Sequence, residues 1–135
     1  MKIRVLCVDD AKDITCSLDW CIRAERDMES AGCLYSANDL RAEVDRKRPD
    51  VILLDMHMPG KDPLEALREL TAAGGSGAAG SVRVIAYSGR DDQTAVDSAI
   101  EAGAWGYVSK DTEVPRLLEA IRAVARASVP FGTWR

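Results

Sequence analysis

Asp55 closes the apolar run Val51–Leu54 and opens the loop Asp55-Met56-His57-Met58-Pro59-Gly60. A carboxylate can attack phosphorus directly, and beside other carboxylates it can hold a hard cation. The chain supplies such companions. The adjacent pair Asp9-Asp10 ends the run Ile3–Val8, Ser88 follows Val82–Tyr87, and Lys110 follows shortly after Trp105–Val108. Runs this apolar read as strands buried on both faces, and the C-terminal tips of such strands are where open α/β sheets bind ligands. Three carboxylates, a hydroxyl and an ammonium at four strand ends suit a divalent metal and a phosphoryl group.

The elements that must position these groups alternate regularly. Ile3–Val8 reads as a strand, and Lys12–Arg26 as a helix with Ile14, Leu18, Cys21 and Ile22 on one face. Gly32–Ala37 is a weaker strand, and Asn38 is placed to cap a helix that ends near Arg48, before Pro49. Asp50–Leu54 is the third strand, Leu64–Ala72 a helix and Val82–Tyr87 the fourth strand. Asp91–Ala102 is the fourth helix, closed by Gly103; Trp105–Val108 is the fifth strand. Asp111 or Thr112 caps the last helix, Val114–Ala127, which carries Leu117, Leu118, Ile121 and Val124. Five strands each followed by a helix imply a parallel sheet covered on both faces with right-handed crossovers. The expected fold is a flavodoxin-like doubly wound (βα)5 domain with strand order 2-1-3-4-5. Its switch point lies between the first and third strands, flanked by Asp9, Asp10 and Asp55.

At 135 residues the chain is one domain, and its 47% apolar content is that of a globular protein. The formal net charge of −4 gives no electrostatic basis for direct nucleic-acid binding. No apolar run approaches the length of a membrane span, and the first run ends in two aspartates rather than a cleavage site, so a cytoplasmic location is expected. Cys7, Cys16, Cys21 and Cys33 show neither a C-x-x-C pair nor a zinc-ligand spacing, and read as free thiols. Gly74–Ser81 is a low-complexity stretch, read as a tolerated loop expansion; Ser128–Arg135 reads as a tail or the start of a linker after a domain spanning 1–127.

In order, Asp9-Asp10, Asp55-Met-His-Met-Pro-Gly, Ser88-Gly89 and Gly106-Tyr107-Val108-Ser109-Lys110 resemble a two-component response-regulator receiver domain. The segment from Gly103 to Asp111, with Asp after the lysine, further resembles the NarL/LuxR-type subfamily, in which a receiver is joined to a helix-turn-helix DNA-binding domain. The resemblance implies that Asp55 is the phosphoacceptor and that Asp10 and Asp55 bind Mg²⁺ directly. Asp9 would act through water, and the His57 backbone carbonyl would complete the protein ligands. It implies that Lys110 pairs with phosphoryl oxygens, that Ser88 is the hydroxyl switch, and that Tyr107 is an aromatic switch that moves inward. Gly89 leaves room beside the site. His57 and Arg90 are placed to tune the lifetime of the phosphorylated state. The implied donor is a sensor histidine kinase. The implied output is a homodimer or an effector contact through the fourth helix, fifth strand and last helix, controlling transcription.

Chemically, the chain would be a phosphoacceptor that catalyses its own transfer and dephosphorylation rather than an enzyme. Pro63 departs from the glycine common at that place, which bears on the shape of the loop and not on the chemistry. Trp105 is either an exposed partner contact or packed against the last helix. Two other readings stand beside the first: a receiver-like module that needs no phosphorylation, and a small Mg²⁺-dependent phosphohydrolase. The second suits the chain less well, because its best nucleophile is on the third strand rather than in an Asp-x-Asp after the first.

Overall fold

A computed structural model describes residues 2–72, 82–89, 93–127 and 132–134, the last three by their backbone. The elements in chain order are β1 (Ile3–Val8), α1 (Lys12–Arg23), β2 (Met28–Leu34), α2 (Leu40–Lys47), β3 (Val51–Asp55) and α3 (Pro63–Ala72). They continue as β4 (Arg83–Ser88), α4 (Gln93–Glu101), β5 (Gly106–Ser109), α5 (Val114–Arg126) and β6 (Gly132–Trp134). All strand pairs are parallel, in the order β2-β1-β3-β4-β5-β6. The first five follow the expected 2-1-3-4-5 order, with β1 and β3 as neighbours at the switch point.

Strands β1 to β5 alternate their side chains between two cores, because successive residues point to opposite faces. Leu6, Val8, Ile52, Leu54, Val84 and Ala86 pack against Leu40 and Val44 of α2, Leu67 and Leu70 of α3, and Val96 and Ala99 of α4. Val5, Cys7, Val51, Leu53, Ile85 and Val108 pack against Leu18 and Ile22 of α1 and Leu117, Ile121 and Val124 of α5. Every residue of β3 is buried, which explains its unbroken apolar run. Full burial of a Leu or Ile side chain contributes about 1.5–3 kcal/mol each, so the two cores hold the strand tips in a fixed frame.

The structure departs from the sequence expectations at several termini. β2 begins at Met28 rather than Gly32, because Glu29, Ser30 and Gly32 interrupt its apolar pattern. Its pairing with β1 skips one residue: Val5 faces Ser30 and Leu6 faces Gly32, leaving Ala31 as a bulge beside Gly32 at φ +114. α1 stops at Arg23. α2 is entered through Asp39, while the Asn38 side chain accepts a hydrogen bond from the Lys61 amide at 3.0 Å. Glu113, not Asp111 or Thr112, precedes α5, and it makes no side-chain cap. Pro63 becomes the first residue of α3, where its missing N–H and fixed φ suit a helix start. Gly103 does close α4 as expected, at φ +113, with its N–H donating to the Ile100 carbonyl at 3.0 Å. The main addition is β6, three residues of the expected tail that pair with β5 through Gly106–Gly132 and Val108–Trp134. A three-residue strand after Pro130 carries no readable period. Residues 74–81, read as a loop expansion, lie outside the described residues. No helix among the described residues is long and apolar enough to cross a membrane.

Candidate functional site

The C-terminal tips of β1, β3, β4 and β5 bring the candidate residues together. One oxygen from each of Asp9, Asp10 and Asp55 lies within 4.8 Å of the others. Asp9 and Asp55 are each 2% exposed, while Asp10 faces solvent. Adjacent residues on a strand end point to opposite sides, so one member of the pair is buried and the other open. The two buried carboxylates are well held. Asp9 Oδ1 accepts from the Ala11 amide at 2.9 Å, and its own N–H donates to the Leu34 carbonyl at 3.0 Å. Asp55 Oδ1 accepts from the His57 amide at 3.1 Å.

Lys110 bridges them. Its Nζ lies 2.8 Å from Asp9 Oδ2 and 3.3 Å from Asp55 Oδ1. Its backbone N–H donates to the Ser88 carbonyl at 2.8 Å, which registers the β5 end against the β4 end. Its Nζ also stands 5.8 Å from the centre of the Tyr87 ring, which forms an aromatic floor. Burial disfavours the ammonium, but the hydrogen bond to Asp9 and the charge of Asp55 outweigh it and raise the Lys110 pKa. Burial, reinforced by the Asp9 charge, raises the Asp55 pKa; the His57 amide and Lys110 oppose that shift. Burial likewise raises the Tyr87 phenol.

Ser88 is fully buried and Tyr107 is 1% exposed. Both line a cavity of about 120 Å³ with Met56, His57, Leu64, Ala95 and Ser98, between β4, α3 and α4. In this structure the Tyr107 ring is packed in the core on the α2–α4 side of the sheet, the inward position of the expected switch. His57 is exposed beside the site. A Cβ added to Gly89 would meet nothing within 4 Å, so this residue leaves open space at the pocket rim. Arg90 lies outside the described residues. Trp105 is half-buried against the α1–α5 core, with the Arg83 guanidinium 4.2 Å from its ring centre. It is thus packed on the side of the last helix, the second of the two expectations.

Sequence reasoning brought Asp9, Asp10, Asp55, Ser88 and Lys110 to one edge, and the structure brings them to one site. It missed Tyr87 as the floor beneath Lys110. An aromatic in a buried strand carries no signal for that role beyond the alternation that aims it at the neighbouring strand end. The donor set fits a hard divalent cation: clustered carboxylate oxygens, one of them open to solvent, with two others oriented by amides.

Residues 5–122 match the response regulator receiver domain family. The chain belongs to this family. Among curated relatives, the receiver is 33% identical over 132 residues to the transcriptional regulatory protein YxjL of Bacillus subtilis (strain 168), covering 98% of this chain and 58% of that protein. It is 30% identical over 128 residues to a nitrate/nitrite response regulator protein homolog of Haemophilus influenzae (strain ATCC 51907 / DSM 11121 / KW20 / Rd), covering 95% of this chain and 59% of that one. The chain thus spans less than two thirds of the length of these relatives. Among solved structures, the receiver superposes with a TM-score of 0.85 on a LuxR-family two-component response regulator from Aurantimonas sp. SI85-9A1, at 22% identity, covering 98% of this chain and 91% of that one. The response regulator domain of Thermotoga maritima CheB gives a TM-score of 0.81 at 26% identity, covering 95% and 99% of the two chains.

Proposed function

We propose that Asp55 accepts a phosphoryl group from the phosphohistidine of a sensor histidine kinase. An Asp55 carboxylate oxygen attacks phosphorus, the P–N bond breaks, and the imidazole leaves with its electron pair and takes up a proton. The product is a mixed anhydride on Asp55. Mg²⁺, held by Asp9, Asp10, Asp55 and the His57 carbonyl, would supply charge neutralisation at the phosphoryl oxygens. Lys110 contributes a second positive charge from a position it already holds between Asp9 and Asp55. The observation that carries the reading is this bridge over two buried carboxylates, beside a buried Ser88 at the end of the next strand.

The phosphoryl group adds about −1.5 to −2 charge and needs donors, so Lys110 must exchange carboxylate partners for phosphoryl oxygens. The Ser88 hydroxyl would turn toward the same oxygens. Since Tyr107 is already inside, its part is to fill the cavity beside Ser88 and so hold the β4–α4 region in one of its states. His57 and Arg90 would set the lifetime by shielding the anhydride from water. Output would pass through α4, β5 and α5 to a second copy or to an effector that controls transcription, as in the transcriptional regulators it resembles. With the outer edge of β5 paired to β6, the helices carry that contact.

The test is intact mass after incubation with acetyl phosphate, with and without Mg²⁺, for wild type and Asp55→Asn. One Mg²⁺-dependent phosphoryl adduct is expected, lost in the variant. Labelling that survives Asp55→Asn refutes the assignment.

A further inference from the structure

We propose that Cys7 and Cys33 form an oxidation site: a cross-strand thiol pair that hydroperoxides convert to a reversible disulfide. The two residues are direct partners across β1 and β2. That register exists because of the bulge at Ala31; with unbroken pairing, Cys7 would face Gly32 instead. Directly opposed residues on neighbouring strands have their Cα atoms about 4.8 Å apart, within the span a disulfide bridges.

The two thiols also share a face of the sheet. Cys33 packs against the same α1–α5 core that holds Cys7. Its Sγ lies 3.8 Å from the Thr15 carbonyl of α1. They differ in access: Cys7 is 1% exposed, whereas Cys33 is half-buried on β2, an edge strand.

These differences assign the steps. The Cys33 sulfur attacks the outer oxygen of the hydroperoxide. The O–O bond breaks, an alcohol or water leaves, and Cys33 becomes a sulfenic acid. The Cys7 sulfur then attacks the Cys33 sulfur; the S–O bond breaks, water leaves with the Cys7 proton, and the disulfide is formed. Two thiols are oxidised and one hydroperoxide is reduced. The adjacent bulge is where β2 would shift to meet the torsion the bond requires.

The test treats the whole chain with hydrogen peroxide or tert-butyl hydroperoxide, then reads intact mass and maps peptides. Wild type is expected to lose the mass of two hydrogens, to yield one peptide pair joining Cys7 to Cys33, and to regain its mass with dithiothreitol. The Cys16→Ser, Cys21→Ser double variant is expected to behave the same. Cys33→Ser, a change at a half-buried site, is expected to lose the link entirely. Cys7→Ala is expected to leave Cys33 without a resolving thiol, so that it gains the mass of two oxygens. A wild type whose mass does not fall, a link that runs to Cys16 or Cys21, or a link that survives Cys33→Ser overturns the proposal.

Discussion

Replacing Lys110 by Met keeps most of the stem and deletes the charge between Asp9 and Asp55. The ammonium sits 2.8 Å from one carboxylate and 3.3 Å from the other. Two unit charges 4 Å apart attract by about 4 kcal/mol at an effective dielectric typical of sites near a protein surface. The mutual repulsion of the carboxylates and the desolvation of the ammonium offset part of this. Removing one partner of a buried ion pair costs about 3–5 kcal/mol. The Lys110 side chain is 23% exposed, so solvent screening lowers the expected loss for the metal-free protein to about 2 kcal/mol. Saturating Mg²⁺ should restore most of that loss, because it neutralises the same oxygens. By linkage, full restoration of about 2 kcal/mol means that Mg²⁺ binds the variant about thirtyfold more tightly. Urea unfolding with and without MgCl₂ measures the first quantity, and calorimetric titration with Mg²⁺ measures the second. A metal-free variant within about 0.5 kcal/mol of wild type, or a Mg²⁺ affinity equal to or weaker than wild type, refutes the view that lysine and metal compete for one carboxylate set.

Burial and then Asp9 raise the Asp55 pKa, so ionising Asp55 costs stability above that raised value; the penalty shrinks as pH falls through it and is gone below the ordinary 3.8. Asp55→Asn should therefore raise the urea midpoint of the metal-free protein at neutral pH and lose that advantage in acid; an equal gain at both, or a loss at neutral pH, contradicts this. Gly103→Ala places a Cβ 2.2 Å from Thr71 Cγ2 at φ +113. Its expected cost in chemical unfolding is about 3 kcal/mol, of which Thr71→Ser in the same chain returns about 1 kcal/mol by removing the methyl. The Arg83 guanidinium donates to the carbonyls of Val124 at 2.7 Å, Ala125 at 3.1 Å and Ala127 at 2.7 Å, closing the C-terminus of α5. Arg83→Met should cost about 2 kcal/mol and speed amide exchange in the last turn of α5; unchanged exchange there would rule out this cap.

The acidic set was legible because its chemistry sits where local pattern is strongest: a carboxylate directly after an apolar run marks both a strand end and a site. The parallel, doubly covered sheet followed from the βα alternation and the handedness of crossovers, and its order from the match in length to a flavodoxin-like domain. The pairing of Lys110 with Asp9 as well as Asp55 was not legible, since no local rule says which of three carboxylates a lysine far along the chain will meet. The packed position of the Tyr107 ring was not legible either, because it depends on the cavity built by α3 and α4. β2 was misread at its start because a bulge and a glycine break the period on which strand assignment rests. The cap of α2 moved by one residue because Asn38 serves the Lys61 amide instead, and α5 is entered through Glu113 with no side-chain cap to mark it. β6 was missed because its pairing depends on a partner strand rather than on any pattern of its own.

Its direction has a practical consequence. β6 runs parallel to β5, so at Trp134, level with Val108, the backbone is travelling toward the sheet edge where Asp55 and Lys110 lie. β3 to β6 is three strand spacings, about 15 Å. A dye, spin label or tether attached at Trp134 is held toward the Asp55 and Lys110 end of the sheet, whereas the same label at Lys2 is held at the opposite end, before β1 begins. The two positions make a matched pair of reporters, one near the chemistry and one far from it, on a single chain.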